Sequence, residues 1–220
     1  MNAIRERRGA ETAEAGERRP PRRPRRRMPE SRRGELMDAA ERLFLAKGVA
    51  ATSVDDITTA AQVAKGTFYV YFPSRDALLA ALQQRFVDGF CQRVDAALAR
   101  RRTSDWNGRL RAWFATALDT LLDQLVLHDM LFHELGHDHR DLIHDNPVVT
   151  QLAALVSQGV AAGVWHAAEP RYIAIIMFHG MHGLADDLAA QAQSGNKAAR
   201  KRLADTLFNT FSSAMRPLVP

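Results

Sequence analysis

The residues with the clearest catalytic potential are His133, Glu134 and His137, in the segment HELGHDH at 133–139. When His-Glu-x-x-His is placed on a helix, two imidazoles share one face and can bind zinc, while the glutamate can act as a general base. The spacing therefore raises the hypothesis of a metal-dependent hydrolase.

The residues around this motif argue against hydrolysis. A zinc protease needs a third protein ligand, and the extended form of the motif would require glycine and histidine where this chain has Arg140 and Ile143. The only later glutamate, Glu169, stands beside Pro170 at a predicted helix start, and Gly136 weakens a helix through the motif. We therefore predict that the protein is not an enzyme and has no catalytic residues and no cofactor.

Two histidine pairs raise a regulatory metal site as an alternative. His133 and His137 are four residues apart, and His179 and His182 are three apart on another predicted helix. The simpler interpretation is that these are solvated or hydrogen-bonded imidazoles near a ligand pocket. We predict no metal site.

The elements that would carry these residues are all helical. Apolar residues recur at helical spacing along most of the chain, and no segment alternates as a strand does. Ser53, Ser74 and Asn146 are predicted to cap helices, and Asp56 makes the first of these nearly a capping box. The predicted helices cover 34–47, 54–61, 64–72, 74–102, 109–127, 147–163, 170–192 and 197–215, with a polar stretch at 128–145.

Positive charge is concentrated in a basic arm at residues 1–32. Residues 1–33 hold 12 arginines and 5 glutamates, whereas the net charge of the whole chain is only +5. The segment RRPPRRPRRR at 18–27 is predicted to be disordered or polyproline-like, because it has nothing apolar to bury. Such an arm either binds DNA phosphates or the minor groove, or only increases solubility. An architectural DNA binder that uses this arm without an effector is a further alternative.

Cysteine content and hydropathy favour a cytoplasmic protein. The single cysteine, Cys91, excludes an intramolecular disulfide, which fits a reducing compartment. No apolar run approaches the ~18 residues that a membrane span requires. The first residues have no apolar core, so we expect no secretory signal.

Three short helices, a long helix and a larger helical body indicate a helix-turn-helix module on a helical platform. The segment TSVDDITTAAQVAKGTFYVYFPSRDALL at 52–79 resembles the signature of the tetracycline-repressor (TetR) family of bacterial transcription regulators. The resemblance covers residues 34–93, and beyond them it extends only to length and helix order. Two residues depart from the signature: Gln62 replaces the glycine of the turn, and Ala64 replaces a capping serine.

The resemblance implies an all-α protein with a three-helix DNA-binding domain at 33–93. A long helix would join it to an effector-binding and dimerisation domain at 94–220. The expected function is that of a ligand-responsive regulator, most simply a repressor. It would bind a palindromic operator as a homodimer and be released by a mostly apolar small molecule.

The resemblance also implies which side chains contact DNA. Some would face the major groove from the third helix, and others would meet phosphates at the heads of neighbouring helices. They are Thr52, Ser53, Lys65, Thr67, Tyr69, Tyr71 and Arg75. Residues 34–78 hold four basic and six acidic residues, so the arm would have to supply positive charge.

The effector pocket is expected among the middle helices, by the same resemblance. Large aromatic residues and methionines with a few polar groups suit an apolar ligand, although each could equally be ordinary core. The candidates are Trp113, Phe114, Ala117, Leu121, Met130, Phe132, Trp165, Met177, Phe178, Met181 and His182. The last two helices are expected to form the dimer interface. The candidate interface residues are Leu184, Leu188, Leu203, Leu207, Phe208 and Phe211.

Overall fold

The computed structural model of the protein describes residues 29–132 and 146–217. Within those ranges the chain forms nine helices and no strand, so the predicted all-α class is confirmed. The HELGHDH segment and residues 1–28 of the arm lie outside the described residues. The helices are α1 Pro29–Lys47, α2 Val54–Ala60, α3 Lys65–Tyr71, α4 Arg75–Ala99, α5 Trp106–Asp123, α6 Leu125–Phe132, α7 Pro147–Ala161, α8 Pro170–Ala190 and α9 Lys197–Ala214.

Capping side chains begin the helices where the sequence predicted them. Ser53 Oγ accepts a hydrogen bond from the Asp56 amide at 3.1 Å, and the Asp56 carboxylate accepts one from the Ser53 amide at 2.8 Å. This reciprocal pair completes a capping box at the start of α2. Ser74 and Asn146 likewise cap α4 and α7.

Several helix boundaries differ from the sequence prediction. The helix predicted at 109–127 is α5, which begins at Trp106 and ends at Asp123, and Gln124 separates it from α6. Helix α1 begins five residues earlier than predicted, at Pro29. Glu35 supports this first part, since its carboxylate accepts hydrogen bonds from Ser31 and Arg32 one turn before it. Helix α6 runs to Phe132, where a polar stretch was predicted from residue 128.

The helices enclose two hydrophobic cores. The amino-terminal core lies between α1, α2, α3 and the first half of α4, and its buried side chains include Phe44, Ile57 and Phe68. The second core lies between the end of α4 and helices α5, α7, α8 and α9, and includes Trp113 and Leu152. Within the described part of the chain, no helix combines the length and hydrophobicity needed to cross a bilayer.

Helix α4 belongs to both cores. Leu78 and Leu82 are buried in the first, whereas Phe90, Val94 and Leu98 are buried in the second. With 25 residues, the helix is roughly 37 Å long at about 1.5 Å per residue. Helix α4 is therefore one continuous element that contributes to both cores.

Helix α6 also packs against the amino-terminal core, although it follows α5 in sequence. Met130 and Leu131 are buried there, and the Leu131 carbonyl accepts a 2.7 Å hydrogen bond from Gln83 on α4. The contact surface between the two halves thus includes part of the region predicted to form the second domain, residues 94–220.

Candidate nucleic-acid interface

The turn between α2 and α3 closes around Gln62. This residue has φ 55, in the left-handed region that favours glycine. Its amide donates to the Thr59 carbonyl at 3.1 Å, and the Val63 amide donates to the Thr58 carbonyl at 2.9 Å. The glycine missing from the signature is therefore replaced by a strained glutamine, and the turn keeps its hydrogen bonds.

Helix α3 is held in place by aromatic packing. Phe68 is fully buried, and its ring centroid lies 5.3 Å from that of Tyr69 and 5.7 Å from that of Phe72. The Arg33 guanidinium lies 5.2 Å from the centroid of Phe72. The N-cap position of α3 is Ala64, which has no side-chain group to cap the helix, as the sequence predicted. Packing therefore holds α3 to the module without a capping side chain.

The opposite side of α3 faces solvent. Tyr69 is 52% exposed and Val70 is 77% exposed. Lys65 and Gly66 are exposed, and Thr67 is half-buried. Of the predicted groove-facing residues, the structure thus brings Lys65, Thr67 and Tyr69 onto one short helix.

The two lysines of the module are paired with the first turn of α2. Lys65 Nζ lies 2.9 Å from Asp55 Oδ1, and this hydrogen bond raises the pKa of the ammonium. Lys47 Nζ lies 2.9 Å from Asp56 Oδ2 and, with the capping hydrogen bonds of Ser53, holds the pKa of that carboxyl well below its ordinary value. Both pairs are exposed, so solvent screens them and a competing phosphate can replace either carboxylate.

Arg75, the first residue of α4, forms hydrogen bonds with the loop before α2. Its Nη1 donates to the carbonyls of Val49 and Thr52, at 3.0 and 3.1 Å. It therefore fixes the α1–α2 loop against α4. The side chain of Thr52 is buried, and its hydroxyl donates to the Gly48 carbonyl at 2.8 Å.

Ser53 and Tyr71 occupy the borders of the exposed surface. Ser53 is exposed, although its hydroxyl is engaged with Asp56 in the capping box. Tyr71 is half-buried and packs against the amino-terminal core. Val70 was not among the predicted DNA-contacting residues, because its only signal in the sequence is its position two residues after Phe68.

The predicted pocket residues fall into two groups. The first group lies in the second core, with Phe178 and His182 at its edge: Trp113, Phe114, Ala117, Leu121, Trp165, Met177 and Met181. Met130 and Phe132 instead pack against the amino-terminal core. Met130 and Phe132 are therefore placed apart from the first group, because α6 packs on α1 and α4, and their role in ligand binding stays a prediction.

Two tryptophans in the second core differ in their polar contacts. Trp165 Nε1 donates to Asn107 Oδ1 at 3.1 Å, and its ring fills the space that a Cβ at Gly159 would need. Trp113 is fully buried, and within residues 29–132 and 146–217 its Nε1–H has no hydrogen-bond acceptor. An unsatisfied buried donor is costly.

Rings from three helices join the two cores. Phe86 on α4 lies 5.7 Å from His128 on α6, measured between centroids, and His128 lies 5.5 Å from His182 on α8. His182 lies 4.3 Å from Phe178. Among the described residues, no group of three or more histidine, cysteine or acidic side chains is arranged to hold a metal ion.

A groove of about 510 Å³ opens between α1 and α4. Its lining includes Arg33, Met37, Arg85 and Asp88. Arg85 is itself paired with acidic side chains of α1. The groove lies apart from the predicted effector residues, so it does not mark their pocket.

The dimer candidates are distributed between core and surface. Leu207 and Phe208 are buried in the protomer's own core, and Leu184 is 39% exposed. Helix α8 also exposes Tyr172 and Ile176, which are one turn apart and 63% and 56% exposed. Neither residue was among the predicted dimer candidates.

A three-helix unit with an exposed third helix, joined by a long helix to a helical body, defines a helix-turn-helix protein. Residues 36–82 match the sequence profile described as bacterial regulatory proteins, tetR family. Residues 36–82 of the chain thus belong to this family.

Relatives are found both by sequence and by structure. The HTH-type transcriptional activator FasR of Mycolicibacterium smegmatis is 36% identical over 159 residues, which are 71% of this chain and 64% of that protein. The HTH-type transcriptional repressor DhaR of Mycobacterium sp. (strain GP1) is 32% identical over 89 residues, 40% of this chain and 44% of that protein. The solved structure of the flavonoid-responsive regulator FrrA aligns with a TM-score of 0.68 and 25% identity, over 86% of this chain and 100% of that chain. The chain thus spans less than two thirds of FasR and under half of DhaR.

Proposed function

We propose that the protein is a ligand-responsive transcription regulator that binds a palindromic operator as a homodimer. The observation that carries the proposal is the exposed face of α3, held on the buried ring of Phe68. A recognition helix must present side chains to base edges while its own core fixes its orientation. The names of FasR and DhaR support this function.

Lys65, Thr67 and Tyr69 are the proposed major-groove residues, because all three lie on α3 outside its buried face. Lys65 would exchange Asp55 for a phosphate or a base acceptor. Tyr71 and Ser53 would contact phosphates at the border of the groove.

Arg75 would act on DNA binding mainly by positioning the loop before α2, because its described partners are carbonyl oxygens of that loop. We propose no side-chain contact for Thr52, whose hydroxyl is turned toward the Gly48 carbonyl.

The arm of residues 1–32 would supply the positive charge that the module lacks. Deletion of residues 1–28, which leaves helix α1 whole, is expected to weaken specific and nonspecific binding alike, and to reduce the slope of log affinity against log salt. The measurement is fluorescence anisotropy at several salt concentrations, with both chains on the same duplex. Equal slopes would show that the arm takes no part.

Effector binding would take place among the residues around Trp113. An effector with an apolar body and one hydrogen-bond acceptor fits this region, because the Trp113 Nε1–H is buried without an acceptor among the described residues. The flavonoid response of FrrA supports a ligand of this kind.

The effector would act by shifting a population. Helix α6 follows α5 after a single residue, Gln124, and reaches the amino-terminal core, while α4 is part of both cores. A ligand that favours one packing of α5 would move α4 and α6, and with them the two recognition helices of the dimer. Its effect on DNA affinity cannot exceed its differential affinity for the two states.

The dimer would form through α8 and α9, with Tyr172, Ile176 and Leu184 of α8 in the contact. Their exposure in the single chain supports this assignment. We propose repression as the sign of regulation, as in the name of DhaR, although FasR is named an activator. Deleting the gene should then raise transcription from a promoter that contains the operator, and a fall would reverse the sign.

The decisive experiment is selection of bound duplexes from a random pool with the full chain. We expect an inverted repeat with half-sites about one helical turn, ~34–36 Å, apart or slightly more. Tyr69→Ala should weaken binding to it, with the surface variant Thr150→Ala on α7 as control. Selection that returns no inverted repeat would overturn the proposal.

The residues of the hydrolase alternative lie outside the described residues, and the same assays test it. Glu134→Gln should leave operator affinity unchanged, whereas it would abolish zinc-dependent peptide cleavage. A metal sensor predicts instead that operator affinity differs between chelator and zinc, and that the difference disappears in the double variant His133→Ala with His137→Ala.

A further inference from the structure

Val70 is the most exposed large hydrophobic residue among those described, at 77%. A single exposed valine is ordinary on a protein surface. The position of Val70 is unusual, because it lies on α3, the helix that the proposed function places in the major groove.

Helix geometry places Val70 at the centre of the outward face of α3. Phe68 is fully buried and defines the inward direction. Val70 and Gly66 are each two residues from Phe68, which is a rotation of about 200° around the helix axis. They are four residues apart, so they are neighbours in one stripe that faces away from the core.

The stripe has no hydrogen-bonding side chain. A Cβ added at Gly66 would meet nothing within 4 Å, so the backbone there is open to close approach. The hydrogen-bonding side chains lie to either side of the stripe, and Lys65, the cation among them, is paired with Asp55.

Only one base offers an apolar group to such a stripe. The 5-methyl group of thymine projects into the major groove, where the other three bases present only hydrogen-bond donors and acceptors. Valine has one strongly preferred χ1 rotamer in a helix, so its two methyl groups are held in a fixed direction with little entropy left to lose.

We propose that α3 reads thymine through its 5-methyl group, with Val70 as the contacting side chain and Gly66 permitting the approach. This inference rests on the proposed function. It makes Val70 a specificity-determining residue, and it predicts that each half-site contains a thymine at the position that faces the stripe.

The test replaces each thymine of the selected operator by deoxyuridine, symmetrically in both half-sites. This change removes only the methyl group. At one symmetric pair of positions, the affinity of the wild-type protein should fall about three- to fivefold per half-site, and about tenfold or more for the whole operator. At the other thymines the affinity should change by less than about twofold.

The variant Val70→Ala identifies the contacting side chain. It should bind the natural operator more weakly than the wild type and lose the preference for thymine over uracil at the critical position. Val126→Ala is the matched control, because Val126 is 73% exposed on α6, away from the stripe. Val126→Ala should keep both affinity and preference, and circular dichroism should confirm that both variants are folded.

A rescue experiment isolates the methyl group from the rest of the base pair. Where cytosine replaces the critical thymine, 5-methylcytosine should bind the wild type more tightly than cytosine, and Val70→Ala should not distinguish the two. An inverted repeat that binds equally well with uracil at every thymine would overturn this inference and leave the proposed function intact. Retained thymine preference in Val70→Ala would also overturn it, whereas failure to select any operator would overturn the proposed function itself.

Discussion

Replacing Gln62 by glycine should stabilise the protein, against the usual effect of introducing glycine. Gln62 has φ 55 and is exposed, and its side chain is not needed for the two amide hydrogen bonds that close the turn. A left-handed conformation costs a non-glycine residue about 1–2 kcal/mol. Glycine relieves this strain, but its greater conformational freedom in the unfolded chain offsets about 0.4–1 kcal/mol of the resulting stabilisation.

The net stabilisation expected for Gln62→Gly is about 0.5–1 kcal/mol. For a chain of this length, that corresponds to a rise in Tm of roughly 1–4 °C. Urea unfolding followed by circular dichroism measures the free energy of unfolding, and a thermal scan measures Tm.

The reverse variant, Gly48→Ala, provides the matched control. Gly48 has φ 83, and an added Cβ would touch nothing within 4 Å, so the substitution introduces strain without a clash. It should destabilise by about the amount that Gln62→Gly stabilises. A fall in Tm for Gln62→Gly, together with an unchanged Tm for Gly48→Ala, would refute this account of the turn.

Three further predictions concern the rest of the chain. Gly159→Ala should destabilise by about 1–3 kcal/mol in urea unfolding, because the new Cβ would lie 2.2 Å from the ring of Trp165, and an unchanged midpoint would mean that α7 is not packed as described. The pair with Lys47 lowers the pKa of Asp56 in the folded protein. The ionised Asp56 carboxylate therefore contributes fully to the free energy of unfolding above the ordinary aspartate pKa, and this contribution is lost as the pH falls. The stability of Asp56→Asn should therefore fall less on acidification than that of the wild type. Identical profiles of unfolding free energy against pH for the two proteins would contradict this. Burial, followed by the charges of two nearby carboxylates, raises the pKa of the Cys91 thiol to about 11, so iodoacetamide should label it roughly a hundredfold more slowly at pH 8 than a free cysteine. Labelling at the rate of a free cysteine would show that the thiol is not buried.

The sequence predicted those features whose causes are local. The caps at Ser53, Ser74 and Asn146 depend on residues within one turn, so they could be read without knowing the fold. The same holds for the strained turn at Gln62, because a missing glycine leaves the backbone requirement in place.

Other features depend on contacts that no local pattern contains. Met130 and Phe132 were predicted to line the effector region, but they pack against the amino-terminal core. The packing of α6 on α1 and α4 is set by tertiary contacts, which the local sequence does not show. Arg75 matched a position of the family signature, yet its partners are the carbonyls of Val49 and Thr52 on a distant loop. The exposure of Val70 likewise follows only from the burial of its neighbours.

The most direct test of the central claim uses three duplexes: the selected operator, the same operator with five base pairs inserted between the half-sites, and a single half-site. Five base pairs rotate one half-site by about half a turn of the double helix. If two α3 helices in a homodimer bind two major grooves at once, the insertion must lower the affinity to that of the single half-site, and light scattering of the natural complex must show an even number of protomers. Equal affinity for the natural and the expanded operator, or a single protomer on the natural one, would contradict the account.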